Sequence, residues 1–181
     1  YNYYITTDFA TNEKQSSDFS VIMVWGVNHE GHMFQVDGVC KKQLMDKNLD
    51  DLFRLAQKWN PLEVGIEVSG QQEGFIPWIQ TKLIDLNIFF NFASDNNQSR
   101  PDIRPATNKL VRFNIILPWF KAGFFYFLQE LKDFPLMLET VEELSLASKS
   151  GFKSKHDDAL DCISMLGSLN IIRPGGESVD L

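Results

Sequence analysis

The sequence predicts an α/β domain on a mixed five-stranded sheet, three antiparallel strands and then two parallel ones, flanked by helices. Three observations predict it. Residues 3–40 hold strand-like alternation and short apolar runs, joined by connections too short for helices. From Leu49 onward the apolar period changes from two to that of a helix. Strand-like and helical segments then alternate, which implies parallel neighbours with right-handed crossovers.

Residues 3–9 read as the first strand, 19–27 (FSVIMVWGV) as the second and 33–40 (MFQVDGVC) as the third. Asn28-His29-Glu30-Gly31 is a turn cluster that makes the second and third a hairpin, and the polar run TNEKQSS joins the first two. Leu49, Leu52, Phe53, Ala56 and Trp59 recur at helical spacing, with Asn48 as N-cap and Pro61 beyond the end. Residues 62–68 (LEVGIEV) form a short buried strand, where Gly65 and Gly70 permit close backbone approach or tight turns. A helix over 72–86 tolerates Pro77 near its start, and 88–92 (IFFNF) is the fifth strand. After a polar loop over 93–108 come a helix (109–120), a short strand (123–128), a helix (134–146) and a basic loop (148–155). Residues 158–170 close the fold as an amphipathic helix on Leu160, Ile163, Leu166 and Leu169. Among architectures of this kind the ribonuclease H-like fold is the best known, and fold alone decides no function.

The 181 residues fit one domain, with 44% hydrophobic residues, fifteen Phe and four Trp, a globular composition. We divide the chain into a domain over 1–173 and a tail over 174–181, opened by Pro174-Gly175-Gly176 and expected to fray. The opening on a strand is what an excised domain would show, with a partner domain before it. The apolar run over 124–128 is too short to span a bilayer, so no membrane association is expected. Cys40 and Cys162 lack CxxC spacing and sit in apolar surroundings, as in a reduced cytosolic protein. No heptad and no exposed apolar stripe is apparent, so a monomer in isolation is expected.

A net charge of −7 argues against a general nucleic-acid coat but not against a nuclease. Clustered carboxylates for metal repel phosphate until the metal arrives, and DNA must then be gripped by a local basic strip.

Asp8 ends the first strand and Glu67 the fourth; Asp157, Asp158 and Asp161 open the last helix. Taken singly, Asp8 reads as a turn cap, Glu67 as half of a salt bridge, and one or two of the helix acids as N-cap and dipole partners. Together, two strand-end acids and a late helical acid can converge. Oxygen donors suit Mg²⁺ or Mn²⁺, one ion or two roughly 3.5–4 Å apart. No Ser-His-Asp or Cys-His pairing reaches the same level.

The stretches ITTDFATNEKQSSDFSVI, VGIEVSGQQEGFIPWIQ, KLVRFNIILPWFKAGFFYF and SGFKSKHDDALDCISML closely resemble the nuclease domain of the large terminase subunit of T-even-like tailed phages. They run from the first strand to the last helix. The resemblance implies a ribonuclease H-like fold and metal-dependent cutting of concatemeric double-stranded DNA during genome packaging. It implies metal ligation by Asp8, Glu67 and one of the Asp157-Asp158 pair. Within the pair Asp158 is preferred, because Asp-Ala-Leu is also similar to the corresponding motif of Holliday-junction resolvases; Asp157 is the alternative and Asp161 the reserve. The resemblance further implies an N-terminal packaging ATPase, a portal and a small terminase subunit as partners, in the cytoplasm of the infected bacterium at the assembling prohead. No G-x-x-x-x-G-K-[ST] is present, so this chain is not expected to translocate DNA by itself.

For DNA contacts, Lys149, Lys153 and Lys155 flank Gly151 before the acidic helix, and Arg100, Arg104, Lys109 and Arg112 follow the fifth strand. Either set also reads as a solvated face. Asp18 is an auxiliary candidate for a second metal and His156 for positioning water or phosphate; a strand-start turn and a solvated helix start explain them as well. His29 and His32 are too few for structural zinc. The aromatic runs around Trp119 and Phe124 read as core packing rather than base stacking. Two other readings stay open: a DNA-gripping or docking module of the motor with weak cutting, and a resolvase-type nuclease of the same fold.

Overall fold

The computed structural model describes residues 1–10, 19–67, 75–95, 100–104, 106–148, 151–176 and 178–179. Three strands open the chain: β1 (Asn2–Asp8), β2 (Ser20–Val27) and β3 (Met33–Lys41). β1 pairs antiparallel with β2, and β2 with β3. The β2–β3 turn forms as predicted, with Asn28 Oδ1 accepting from the backbone N–H groups of Glu30 and His32. Helix α1 (Met45–Trp59) leads to β4 (Glu63–Ile66), parallel to β1, and α2 (Phe75–Leu86) leads to β5 (Asn91–Phe92), parallel to β4.

The sheet has six strands rather than five, in the order β5-β4-β1-β2-β3-β6. The short strand expected near 125, β6 (Phe125–Phe127), joins the far edge parallel to β3. This is the mixed α/β topology of the ribonuclease H-like fold. α3 (Lys109–Lys121) and α4 (Pro135–Leu146) flank it, and β7 (Ala147–Ser148) pairs antiparallel with β8 (Gly151–Phe152).

β2 is buried along its whole length because both faces of the sheet are covered, so it reads as a continuous apolar run. Val21, Met23 and Trp25 point into one core, against Phe113 and Ile116 of α3 and the residues around Leu160 and Ile163. Ile22 and Val24 point the other way, against Leu49, Leu52 and Leu55 of α1 and Ile79 of α2. Both cysteines are free and buried.

Several boundaries differ from expectation. α1 begins before Asn48, whose buried side chain donates to Ser20 Oγ (2.8 Å) instead of capping the helix. The fifth strand is shorter than expected because Asn87 turns left-handed (φ 53°) and Ile88 donates its N–H to Leu83 O, closing α2. The last helix, α5 (Asp158–Ser164), tightens into a 3₁₀ turn over Met165–Ser168, where Gly167 weakens helical continuation. The tail does not fray at Pro174: Ile172 bridges Ser178, and Val179 is buried in the core. An apolar stripe is in fact exposed, with Phe134, Leu138 and Val141 each more than half accessible along α4. Among the described residues no helix is long and apolar enough to cross a membrane.

Gly65 allows the close approach foreseen for it, since a Cβ there would lie 2.7 Å from Met165 Sδ. Gly38 is tighter still: a Cβ would run into the backbone oxygen of Ile22 and into Leu136 Cδ2, and the backbone cannot yield. Gly38→Ala should therefore cost about 1–3 kcal/mol, a fall in Tm of about 2–4 °C per kcal/mol. Circular-dichroism melting checks this; an unchanged Tm would contradict the β2–β3 register around Gly38.

Candidate active site

Parallel pairing places the first two acids. β1 and β4 run side by side with Thr7 opposite Ile66, so Asp8 and Glu67, each one residue further on, emerge together at the carboxyl edge of the sheet. Glu67 is itself tied to the sheet by a bridge to Ile103. α5 packs across β1 and β2 and brings Asp157, Asp158 and Asp161 over the same edge.

The third wall is α3, capped by Asn108 Oδ1, which accepts from Val111 N (2.9 Å). It presents Lys109 and Arg112, three residues apart and so on one face. Lys109 Nζ lies 3.5 Å from Asp8 Oδ2, 2.9 Å from Asp157 Oδ1 and 3.3 Å from Asp161 Oδ2. The Arg112 guanidinium lies 3.3 Å from Glu67 Oε2 and makes a short contact with Asp161 Oδ1. Four carboxylates thus converge on two cations. Asp158 stands beside them and accepts from the Phe19 backbone N–H (3.1 Å), which ties it to the start of β2.

Asp161, held in reserve in the sequence reading, is the most enclosed of the acids, with its side chain 2% exposed. Its Oδ2 is buried and has no hydrogen bond among the described residues, although the Lys109 ammonium stands within ion-pair distance. Asp157 occupies the N-cap position of α5 without capping it, because its carboxylate turns to Lys109. The capping role passes to Glu143 of α4, fully buried, which accepts from Leu160 N (2.8 Å) and Ala159 N (3.3 Å). Burial pushes its carboxyl up to about 7 against the pull of those two N–H groups, and Asp158 and Glu139 add to the rise.

The electrostatics record an excess of negative charge. Burial pushes Asp8 up to about 8; Lys109 pulls it down, while Asp161, Asp158 and Glu67 push it up. Glu67 is raised by burial and by Asp161, against Arg112 and Lys109. Burial works against the charge of Lys109, yet Asp8, Asp161 and Asp157 outweigh it and hold the ammonium above its ordinary range. Arg112 is held up in the same way, chiefly by Asp161.

A hard divalent cation fits this donor set: the side chains are carboxylates, one buried oxygen lacks a hydrogen bond, and burial together with neighbouring acids drives Asp8 toward its neutral form despite Lys109. Among the described residues, however, no three His, Cys, Asp or Glu side chains are grouped to hold a metal as they stand. Their oxygens face Lys109 and Arg112 instead.

The remaining candidates separate. Lys109 and Arg112, expected at DNA, are bound to the acids. Lys153 and Lys155 are exposed on the segment entering α5. Arg100 is exposed, and Arg104 lies 3.5 Å from Asp102. The His156 ring meets Phe19 edge to face at 5.0 Å. Lys149 and Asp18 lie outside the described residues. His32 pairs with Glu30 and packs on Phe124 and Tyr126, as a hairpin residue. Phe120 stacks on Phe125 at 4.1 Å, so these aromatics pack internally. A cleft of about 210 Å³ opens beside Glu67, Arg112 and Asp161, with Ile103, Ile115 and Met165 among its apolar walls.

Two features escaped the sequence reading: Lys109 and Arg112 as the cations that pair with the acids, where only a salt bridge at Glu67 was foreseen, and the capping by Glu143. The second had a signal, because Glu143 stands in the buried stripe of α4 with Leu136, Met137 and Thr140.

No family profile matches the sequence, and no curated protein matches it. Solved structures do. The human cytomegalovirus terminase nuclease domain superposes with a TM-score of 0.61 at 12% identity, over 91% of this chain and 80% of that one. The same domain soaked with manganese gives 0.60 at 13% identity, over the same shares of the two chains. The large terminase nuclease of a thermophilic phage, with bound zinc, gives 0.55 at 15% identity, over 91% of this chain and 78% of that one. At these identities the likeness is one of fold: this chain has the ribonuclease H-like fold that terminase nuclease domains share.

Proposed function

We propose that this domain is a metal-dependent endonuclease that cuts double-stranded DNA, the nuclease part of a phage genome-packaging motor. The observation that carries the reading is the convergence of Asp8, Glu67 and the α5 acids on one sheet edge, with Asp8 raised by burial and by the acids around it. The fold shared with terminase nuclease domains supports it. Asp8, Glu67 and Asp158 would hold the metal, with Asp157 the alternative to Asp158 and Asp161 completing the set. A Mg²⁺ or Mn²⁺ held there would lower the pKa of an attacking water and offset charge on the leaving oxygen. The acids orient that chemistry on the scissile phosphodiester, and Lys153 and Lys155 grip the flanking backbone. The reading also places an ATPase domain, a portal and a small terminase subunit around this chain, at the prohead of an infected bacterium.

A second reading, a DNA-gripping module with weak cutting, is favoured by one observation: the acids are occupied by Lys109 and Arg112. Supercoiled plasmid with Mg²⁺, Mn²⁺ or EDTA separates the two. The expected result is nicking and then linearisation with metal alone. Of Asp157→Asn and Asp158→Asn, the one that removes a ligand should lose more than the roughly 10–100-fold that outer-shell changes cost. Binding of the plasmid without cleavage under either metal would leave the gripping module standing.

A further inference from the structure

Lys109 and Arg112 are placed where a bridging cation would be. Lys109 links an acid of β1 to two acids at the start of α5, and Arg112 links the acid after β4 to Asp161. Asp161 is touched by both. The side chain of Arg112 is only 13% exposed, while that of Lys109, 37% exposed, reaches in from the rim to three acids. Both project from one face of α3, whose first turn carries Lys109 at the rim of the site.

Resting on the nuclease reading, we propose that Lys109 and Arg112 form an internal cation latch. They hold the acids closed in the metal-free protein, compete with the divalent cation for the same carboxylate oxygens, and on its arrival are released to contact DNA phosphate.

Three steps lead there. An ammonium 2.9–3.5 Å from Asp8, Asp157 and Asp161 neutralises the charge that a divalent cation would use and stands between the acids it would join, so the two compete. A released lysine or arginine at the mouth of an acidic site has phosphate as its natural partner. Metal and DNA binding are then coupled, each making the other more favourable by the same factor. The latch also accounts for a folded site that gathers its acids without metal: removing both counter-ions would leave four uncompensated carboxylates at one sheet edge.

Calorimetry with Mn²⁺ on the intact domain tests the competition, comparing wild type with Lys109→Met, Lys109→Gln and Lys121→Met. Lys121 is an exposed residue at the far end of α3 and controls for loss of one positive charge. The expected result is Mn²⁺ binding about tenfold tighter in both Lys109 variants and unchanged in Lys121→Met. Equal or weaker binding in a folded Lys109 variant overturns the latch. The wild-type protein supplies a readout that needs no variant. Reductive methylation of lysines, followed by mass spectrometry, should show Lys109 modified several-fold faster with saturating Ca²⁺ than with EDTA, while Lys121 does not change. Lys109 equally protected in both conditions, in protein shown by calorimetry to bind the ion, overturns the proposal. The two readings fail differently. A protein that binds Mn²⁺ and cuts plasmid while Lys109 stays protected loses only the latch; one that binds no divalent ion loses both.

Discussion

Asp8→Asn is expected to abolish metal-dependent plasmid cleavage and at the same time to make the metal-free domain more heat-stable at neutral pH. Both effects come from one cause. Asp8 lies among Asp158, Asp161 and Glu67 and is shifted from its ordinary 3.8 to about 8, first by burial and then by those charges, with Lys109 opposing. A carboxyl raised in the folded state stabilises the fold while it is protonated. That contribution is full below about pH 4 and is lost as pH rises through about 8. At pH 7 the wild-type protein has therefore lost most of it. Asparagine keeps the shape without the ionisation, so its metal-free Tm should exceed the wild type's near neutrality, by about 2–4 °C for each kcal/mol relieved. The gap should close toward pH 4. Glu143, raised to about 7, titrates in the same window and leaves the variant a residual slope. Cleavage should fall by more than the roughly 10–100-fold of an outer-shell change. Differential scanning calorimetry across pH 4–8 beside a plasmid assay reads both. A variant that melts lower than wild type at pH 7 would show that Asp8 is a net stabilising ion-pair partner of Lys109 rather than a site acid whose ionisation the fold disfavours.

The strand-end acids were legible one at a time, because Asp8 and Glu67 each close an apolar strand run. That β4 lies beside β1, and not beside β3 from which α1 leads to it, is a long-range pairing that brings both acids to one edge. The two central residues of the latch were legible only as charges. Lys109 and Arg112 lie three residues apart and Asp157 and Asp161 four, spacings that put each pair on one helix face. That the two faces meet depends on α3 packing against α5, and no local pattern states it. The sixth strand shows the same division. Its apolar run is visible near Phe125, whereas its place beside β3, ninety or so residues earlier, is decided by long-range closure. Asn48 was misread for the converse reason. It has the chemistry of a cap, but a buried partner, Ser20, takes its amide. The return of Val179 to the core beyond Gly175 and Gly176 is likewise a long-range contact that the composition of the tail does not state.

Glu143→Ala should be the most destabilising single change near the site, and it should silence cleavage without touching a proposed ligand. The side chain is fully buried and accepts the backbone N–H groups of Ala159 and Leu160, the second and third residues of α5. Those donors are helix-end groups with no intrahelical partner. Both residues are 0% exposed, so water cannot take the place of the lost carboxylate. Leaving buried donors unmatched costs about 1–3 kcal/mol each, and the cavity adds to it. A loss of about 3 kcal/mol or more, roughly 6–12 °C in Tm, is the expected result. Because α5 carries Asp157, Asp158 and Asp161 and spans only seven residues, loosening its first turn moves three acids together. Mn²⁺ binding should weaken along with cleavage. Glu143→Gln separates the two consequences: its amide oxygen can still accept one of the N–H groups, so it should recover part of the Tm and part of the metal affinity. A Glu143→Ala protein that melts within about 2 °C of wild type, a change of about 1 kcal/mol or less, would mean that α5 is anchored elsewhere. The acids would then owe their placement to Lys109 and Arg112 on α3 rather than to α4.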